Sequence, residues 1–494
     1  MKILKGKWIL FAVVLVLAFA ACTKTEDQPA PTPANNSGTS DENKIDAPVI
    51  DYTDVTSDSV AAKENLSGTL NVWSFSNEAL VLATAFQEKH PELNINFRMA
   101  SMEDGSYQEM VSLALAAGTG DVPDVVFLEV GFVRTFVEDE GWLRDLSHFV
   151  PNAAELETIP FTVQAGTDKT GAVRAFSPQA TPGAMFYRRS MAERYFGTTD
   201  PAELQPLFAD LDAFMASARI INEQSGGSTR IVGSPTEVFR AFLPNRTQPW
   251  VVNNTLTIDP LMIDYMNFAY EIRNEGLDAE AGQWSEHWFN AMRDQLQDAA
   301  GNQLDIFSFF MPTWGLPYTI MQNARDHSFG DWGIIPGPLP YQWGGTWIGV
   351  PEAANNVEAA TEFVRFAALD EEQLTNWATG VYTNDYLSAI NPDVPSDLNQ
   401  PAGDLVSSAR LIRELTPFFY GTESSDFIGG QNPYEVFGDA ALRVSFELVQ
   451  GTDAMIQDHF IDAVDLFITG QKTRDEAIES FRDVVRMDLP GLNW

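Results

Sequence analysis

Regular patterning of hydrophobic and polar positions begins only at Leu66. GTLNVWSF (68–75) alternates and then runs apolar, as a β-strand does, and EALVLATAFQEKH then places its apolar residues at helical spacing. Ser76 and Asn77, just before it, are of the types that cap helices. PELNINFRMA reads as a second strand, SYQEMVSLALAAGTG as a helix ending at Gly118, DVPDVVFLEV as a buried strand and VRTFVEDEGW as another helix. Strands that alternate with helices of this length predict an α/β domain with a largely parallel sheet.

The rhythm breaks at RAFSPQATPGAMFYRR (174–189), which reads as an extended crossover punctuated by Pro178, Pro182 and Gly183. A helix-rich stretch over 190–325 follows, with SMAERYF, LFADLDAFMASARIIN, LMIDYMNFAYEIRNEG and WFNAMRDQLQDAA. Strand-like segments return at DWGIIPGP and GTWIGVP, and NNVEAATEFVRFAAL and ITGQKTRDEAIESFRDVVRM predict late helices. No internal repeat of fixed period is present. At 494 residues the chain can bury two or three cores.

The first residues do not belong to that fold. MKILKGK is basic, and the apolar run from Trp8 to Ala21 is too short for a membrane span, so residues 1–21 read as a signal peptide. Cys22 is the only cysteine, so no internal disulfide can form. It follows Phe19-Ala20-Ala21 directly. Residues 23–65 are rich in Pro, Ser, Thr, Asn and Asp and poor in apolar side chains, which predicts a disordered tether.

A formal net charge of −39 makes nucleic acid an improbable partner and disfavours charge-driven binding to anionic membranes. The nucleophile elbow, the phosphate-binding loop, the dinucleotide fingerprint and the zinc-helix motif are all missing. The five histidines are scattered, with no pair at ligand spacing. DAAGNQLD (298–305) has oxygen-bearing side chains but not the alternation of a calcium loop, and reads better as a helix-ending turn. No cofactor or metal is expected.

The chemistry that stands out is aromatic. Ligands of open α/β sheets bind beyond the carboxyl ends of strands. There the first strand leaves Trp73, Ser76 and Asn77, the buried strand DVVFL (124–128) leaves Glu129, and PTWGLPY sets Trp314 on a proline-bounded loop. YQWGGTW (341–347) places Trp343 and Trp347 around Gly344 and Gly345. The glycines are expected to admit close approach of the backbone to a ligand, with the Thr346 hydroxyl beside them. Trp343 is then a stacking face and Trp347 a core residue. Indole faces with carboxylates, amides and hydroxyls suit carbohydrates, whose C–H faces stack and whose hydroxyls need both donors and acceptors. The same loops are poor in Arg and His, which argues against phosphate and iron.

These segments, in order, resemble the family 1 extracellular solute-binding proteins of ABC importers, the sugar-binding group related to maltose-binding protein. FAAC resembles a lipobox. TLNVWSFSNE resembles the family's first strand and ligand loop, and FQEKHPELNINF its helix–proline–strand pattern. DVPDVVFLE and GWLRDL resemble the strand that ends at a ligand acid and the stretch that follows. FSPQATPGAMFYRRSM resembles the hinge crossover, with Arg188 in place of the usual Asn, and PTWG, WGGTWIGVP, EAATEFVRFA and ITGQKTRDEAIESF resemble later segments.

The resemblance implies an α/β, periplasmic-binding-protein-like fold of two discontinuous lobes joined by hinge strands, with the ligand in the cleft. Residues 66–177 and 330–380 are expected in one lobe and 178–329 and 381–494 in the other. It implies cleft positions for Trp73, Ser76, Glu129, Trp314 and Gly344 to Thr346, with Gln179 and Tyr187 near the hinge and Tyr382 and Asn384 after the last crossover. It also implies lipidation of Cys22, a bacterial membrane anchor, extracytoplasmic placement, delivery of a carbohydrate to permease subunits, and function as a monomer without catalysis. Two other readings stay open on the residues alone: a secreted glycan hydrolase, because aromatic clefts with carboxylates suit both, and a receptor for another solute such as a polyamine, because cations sit well on indoles.

Overall fold

The first alternating segment forms the second strand of a five-stranded sheet, between the edge and the centre. In this computed structural model the described residues are 52, 55 and 57–493, apart from 103–104, 139–140, 397 and 399–402. The signal peptide, Cys22 and most of the expected tether lie outside them. Strands β1 (Gly68–Ser74), β2 (Leu93–Met99), β3 (Val125–Glu129), β4 (Ala175–Phe176) and β12 (Thr346–Gly349) lie in the order β2-β1-β3-β12-β4. The first three are parallel, and β12 runs antiparallel to β3 and β4. The helix Glu78–Lys89 turns Val81, Leu82, Ala85 and Phe86 inward. Helix Val357–Leu369 is capped by Asn356, whose side chain accepts from the Ala359 N–H, and Phe363 and Phe366 meet the Phe86 ring.

A second sheet departs from the expected parallel pattern. It consists of β5 (Gly183–Arg188) between β10 (Ser308–Pro312) and β11 (Trp332–Ile335), both antiparallel to it. All three strands are buried along their length, so they carry no alternation to be read. Trp332–Ile335, expected with the first lobe, hydrogen-bonds here instead, opposite Arg188–Met185. Two short pairs complete the strands: β6 (Thr229–Arg230) with β9 (Asp305–Ile306), and β7 (Val251–Val252) with β8 (Thr255–Leu256).

Two hydrophobic cores result. One gathers the first sheet and its helices, and extends through Trp288, Phe309 and Trp332 to the segment around Tyr434. The other gathers Met185, Tyr187, Phe214, Trp250, Tyr265 and Phe310 with the late helices Asp453–Ile468 and Arg474–Asp488. The architecture is two α/β lobes joined by hinge strands. Residues 177–182 cross between the sheets, Ala180 donating its N–H to the Leu405 carbonyl and Pro182 bridging to Gln342. Residues 336–345 make the return crossing from β11 to β12, and the stretch 446–452 passes from Gln164 of the first lobe to Val251 of the second. Among the described residues no helix is long and apolar enough to cross a membrane.

Candidate functional site

At the β3 end, the register sets Thr346 of β12 opposite Glu129. Gln179, from the hinge crossing, donates its Nε2–H to Thr346 Oγ1 at 3.2 Å. Thr181 Oγ donates to the Gly344 carbonyl at 2.9 Å, and Trp314 Nε1–H donates to the Trp343 carbonyl at 3.1 Å. Glu129, Gln179, Trp314, Trp343, Gly344, Gly345 and Thr346 are thereby drawn to one place, where the two lobes face each other.

The two glycines make room for side chains of the chain itself. Gly344 has φ +79, and a Cβ on it would lie 2.6 Å from Trp314 Nε1. At Gly345, φ +104, a Cβ would press on Thr181 Oγ1 and the Trp347 ring. Both positions let tryptophans and a hinge threonine close on the backbone. Trp347 is in the core, its Nε1–H donating to the Thr162 carbonyl at 2.6 Å, as its place on the strand predicts.

Three of the expected aromatics go to cores instead. Trp73 is 3 % exposed beneath the Arg98 guanidinium, 4.6 Å from its ring centroid. Tyr187 is fully buried in β5 and gives its hydroxyl proton to the Thr199 carbonyl. Tyr382 is buried, donating to Gln373 Oε1 at 2.8 Å. Asn384 stands one residue into the helix Asn384–Ile390 and donates to the Pro395 carbonyl, closing a local loop. Asn77 occupies the N-cap position of helix Glu78–Lys89, but its side chain makes no cap hydrogen bond. Ser76 Oγ is buried without a partner, at the mouth of β1. Arg188 forms ion pairs with Asp294 and Asp331 and lies over the Trp332 ring, so this position serves the second sheet.

The pocket beside Trp343 contains residues that no motif marks. It is a small pocket of about 80 Å³ between Val130 and Gly131 after β3, Arg240 and Leu243 of the second lobe, Gln342, and Asp453 and Gln457 of helix Asp453–Ile468. Arg240 sits on the four-residue helix Phe239–Phe242, with its guanidinium 4.4 Å from the Trp343 ring centroid. Burial pushes the Glu129 carboxyl up, against the pull of the Gly131 N–H at 2.6 Å and of Arg240. Burial holds the Arg240 guanidinium below its ordinary range, against Glu129 and Asp458. Burial also raises Asp453 to about 6, although Arg246 pairs with it at 3.0 Å.

On the other side of Trp343 stands Trp284, 46 % exposed, stacked on Trp314 at 14° and 6.1 Å and edge-on to Trp343 at 5.7 Å. Its φ of +69 is rare for a bulky side chain and is a feature of functional loops. The signal was present in AGQWS, where an indole stands two residues after a glycine in a loop. Near the Trp314 loop, burial and repulsion from Asp404 raise Glu78 to about 8, and burial, with Asp404 and Glu78 adding to it, raises the Tyr318 phenol. Among the described residues no group of His, Cys, Asp and Glu is placed to hold a metal ion.

This arrangement can grip a solute, with aromatic faces and fixed donors and acceptors from both lobes. The family model of the bacterial extracellular solute-binding proteins matches residues 74–374. The chain belongs to that family. Its members bind and carry solutes outside the cytoplasm and catalyse no reaction on them, which removes the hydrolase reading. A crystal structure of an extracellular solute-binding protein family 1 superposes with a TM-score of 0.64 at 20 % identity, covering 84 % of this chain and 98 % of that one. The ABC transporter associated binding protein from B. animalis subsp. lactis Bl-04, in complex with beta-1,6-galactobiose, matches with a TM-score of 0.58 at 19 % identity over 85 % and 97 %. The GacH receptor of Streptomyces glaucescens GLA.O, solved unliganded and with acarbose, matches with a TM-score of 0.57 at 17 % identity over 87 % and 100 %. No curated protein sequence matches the chain.

Proposed function

We propose that the protein is the carbohydrate receptor of an ABC importer, tethered to a bacterial membrane through lipidated Cys22, and that it takes an oligosaccharide into the interlobe cleft as a monomer. The observation that carries this reading is the meeting of three indoles, Trp284, Trp314 and Trp343, the last of which also lines the pocket shared by Arg240 and Gln342. Indole faces take sugar C–H surfaces, and the polar groups take hydroxyls. Structurally similar proteins solved with beta-1,6-galactobiose and with acarbose support it. Ligand contacts from both lobes would favour the closed state by their differential affinity, and the permease would read that state.

Tryptophan fluorescence titrated with neutral oligosaccharides should show a saturable change for at least one of them. A response to polyamines and to no sugar would replace the carbohydrate reading with one in which Glu78 and Asp404 hold a cation. For the anchor, metabolic labelling with a fatty-acid analogue should mark the wild-type chain and not Cys22→Ser.

A further inference from the structure

Arg240 enters the pocket with a guanidinium that, among the described residues, makes no hydrogen bond and no ion pair within 4.0 Å. It lies over the Trp343 ring, 4.4 Å from the centroid, and Glu129 attracts it from the other lobe without touching it. Gln342 and Asp453, which also line the pocket, each keep one buried oxygen without a partner, Oε1 and Oδ1. Asp453 is 2 % exposed, and its other oxygen is taken by Arg246 at 3.0 Å and Gln457 at 3.4 Å. The pocket therefore offers a planar fork of donors that needs acceptors, and buried acceptors that need donors. Arg240 is only half-buried, so a ligand that dries the pocket has to supply both kinds or leave these groups unmatched at a cost.

A carboxylate, sulfate or phosphate group only accepts. It would suit Arg240 and would set a like charge against Asp453 and Glu129 where little water screens them. An ammonium group only donates. It would suit the oxygens and be repelled by Arg240. A hydroxyl does both, and two neighbouring hydroxyls can take the two arms of a guanidinium while giving their protons to the carboxylate and the amide.

We infer that the group held in this pocket is an uncharged pair of adjacent hydroxyls, and that Arg240 together with Asp453 makes the receptor select neutral glycans over uronic, sulfated or amino sugars. This rests on the carbohydrate reading of the cleft and specifies it.

The test is isothermal titration of the full chain with a neutral oligosaccharide that binds, the same oligosaccharide with its terminal primary alcohol oxidised to a carboxylate, and its amino-sugar counterpart. The neutral form should bind about tenfold or more tighter than either charged form. Asp453→Asn should narrow the gap to the acidic form severalfold, and Arg240→Met should weaken the neutral form and narrow the gap to the amino form. Should Asp453→Asn lower the melting temperature, Glu129→Gln from the opposite lobe makes the same comparison. An acidic or amino form that binds as tightly as the neutral one overturns the selection while leaving the carbohydrate reading in place. Gaps unchanged in all the variants overturn the roles given to these residues. If no sugar of any charge binds, the carbohydrate reading falls and this inference falls with it.

Discussion

Trp343 and Trp347 are four residues apart and do opposite work. Trp347 is 1 % exposed, with its indole N–H satisfied by a backbone carbonyl. Trp347→Ala should cost about 3–5 kcal/mol, read as a large drop in the thermal midpoint. Trp343 is half-buried at the cleft, where its ring carries Arg240 and meets Trp284 and Trp314. Trp343→Ala should leave the midpoint of the ligand-free protein nearly unchanged and weaken binding of the responding sugar; a large loss of ligand-free stability would make Trp343 a core residue instead. Gly344 lies between them in function. Gly344→Ala strains a left-handed residue and drives a methyl group to within 2.6 Å of Trp314 Nε1. It should cost about 1–3 kcal/mol and shift the indole emission, because Trp314 has to move. An unchanged emission spectrum would mean that the backbone gives way instead.

At the scale of elements, the spacing of amphipathic helices such as Arg474–Asp488 was legible because they keep one wet face, and β1 was legible from an exposed start that runs into a buried end. Helix Arg474–Asp488 also announces its start: Thr473 accepts from the Glu476 N–H and the Glu476 side chain reaches back to the Thr473 N–H, a capping box present in the sequence as TRDE. Thr473→Ala should destabilise by about 1 kcal/mol in denaturant unfolding, with an unchanged slope. The second sheet was less legible. β5, β10 and β11 are dry on both faces, so their apolar runs show neither direction nor partner, and β11 was placed in the wrong lobe for that reason. The site was half legible. Aromatic residues at strand ends pointed to the right place, yet whether Trp73 faces a ligand depends on Arg98, a residue of the neighbouring strand that sequence order does not bring near. Arg240 and Asp453 belong to no motif and meet only through the fold.

For the whole molecule, carboxyl groups raised on folding set the response to pH, among them Glu237 and Asp453, which are buried, and Glu78, which is half-buried. Burial raises Glu237 to about 8, despite the N–H groups of Phe310 and Trp288 that point at it. Glu78 is raised to about 8 and Asp453 to about 6. A carboxyl raised on folding binds more protons in the native state than in the unfolded one over the interval between its two pKa values. Stability therefore falls as pH rises through that interval and is recovered on acidification. The formal charge of −39 acts in the same direction, since protonation relieves repulsion. Asp145 and Asp168 are held low by their hydrogen bonds and by Arg174, so their contribution disappears only in stronger acid. His90 and His148, lowered by burial, oppose the trend below their ordinary range. The thermal midpoint should accordingly rise as pH falls from about 8 to about 5 and decline again below about 4. Glu78 allows this to be assigned to one residue. It stands in the first turn of its helix, where a negative charge is ordinarily favourable, but burial and Asp404 act against the ion more strongly. Glu78→Gln keeps the shape and removes the charge, so it should raise the midpoint at pH 8 and leave it almost unchanged at pH 5. A variant no more stable than the wild type at pH 8 would show that the Glu78 carboxylate is comfortable in the cleft, and that the response to pH arises elsewhere.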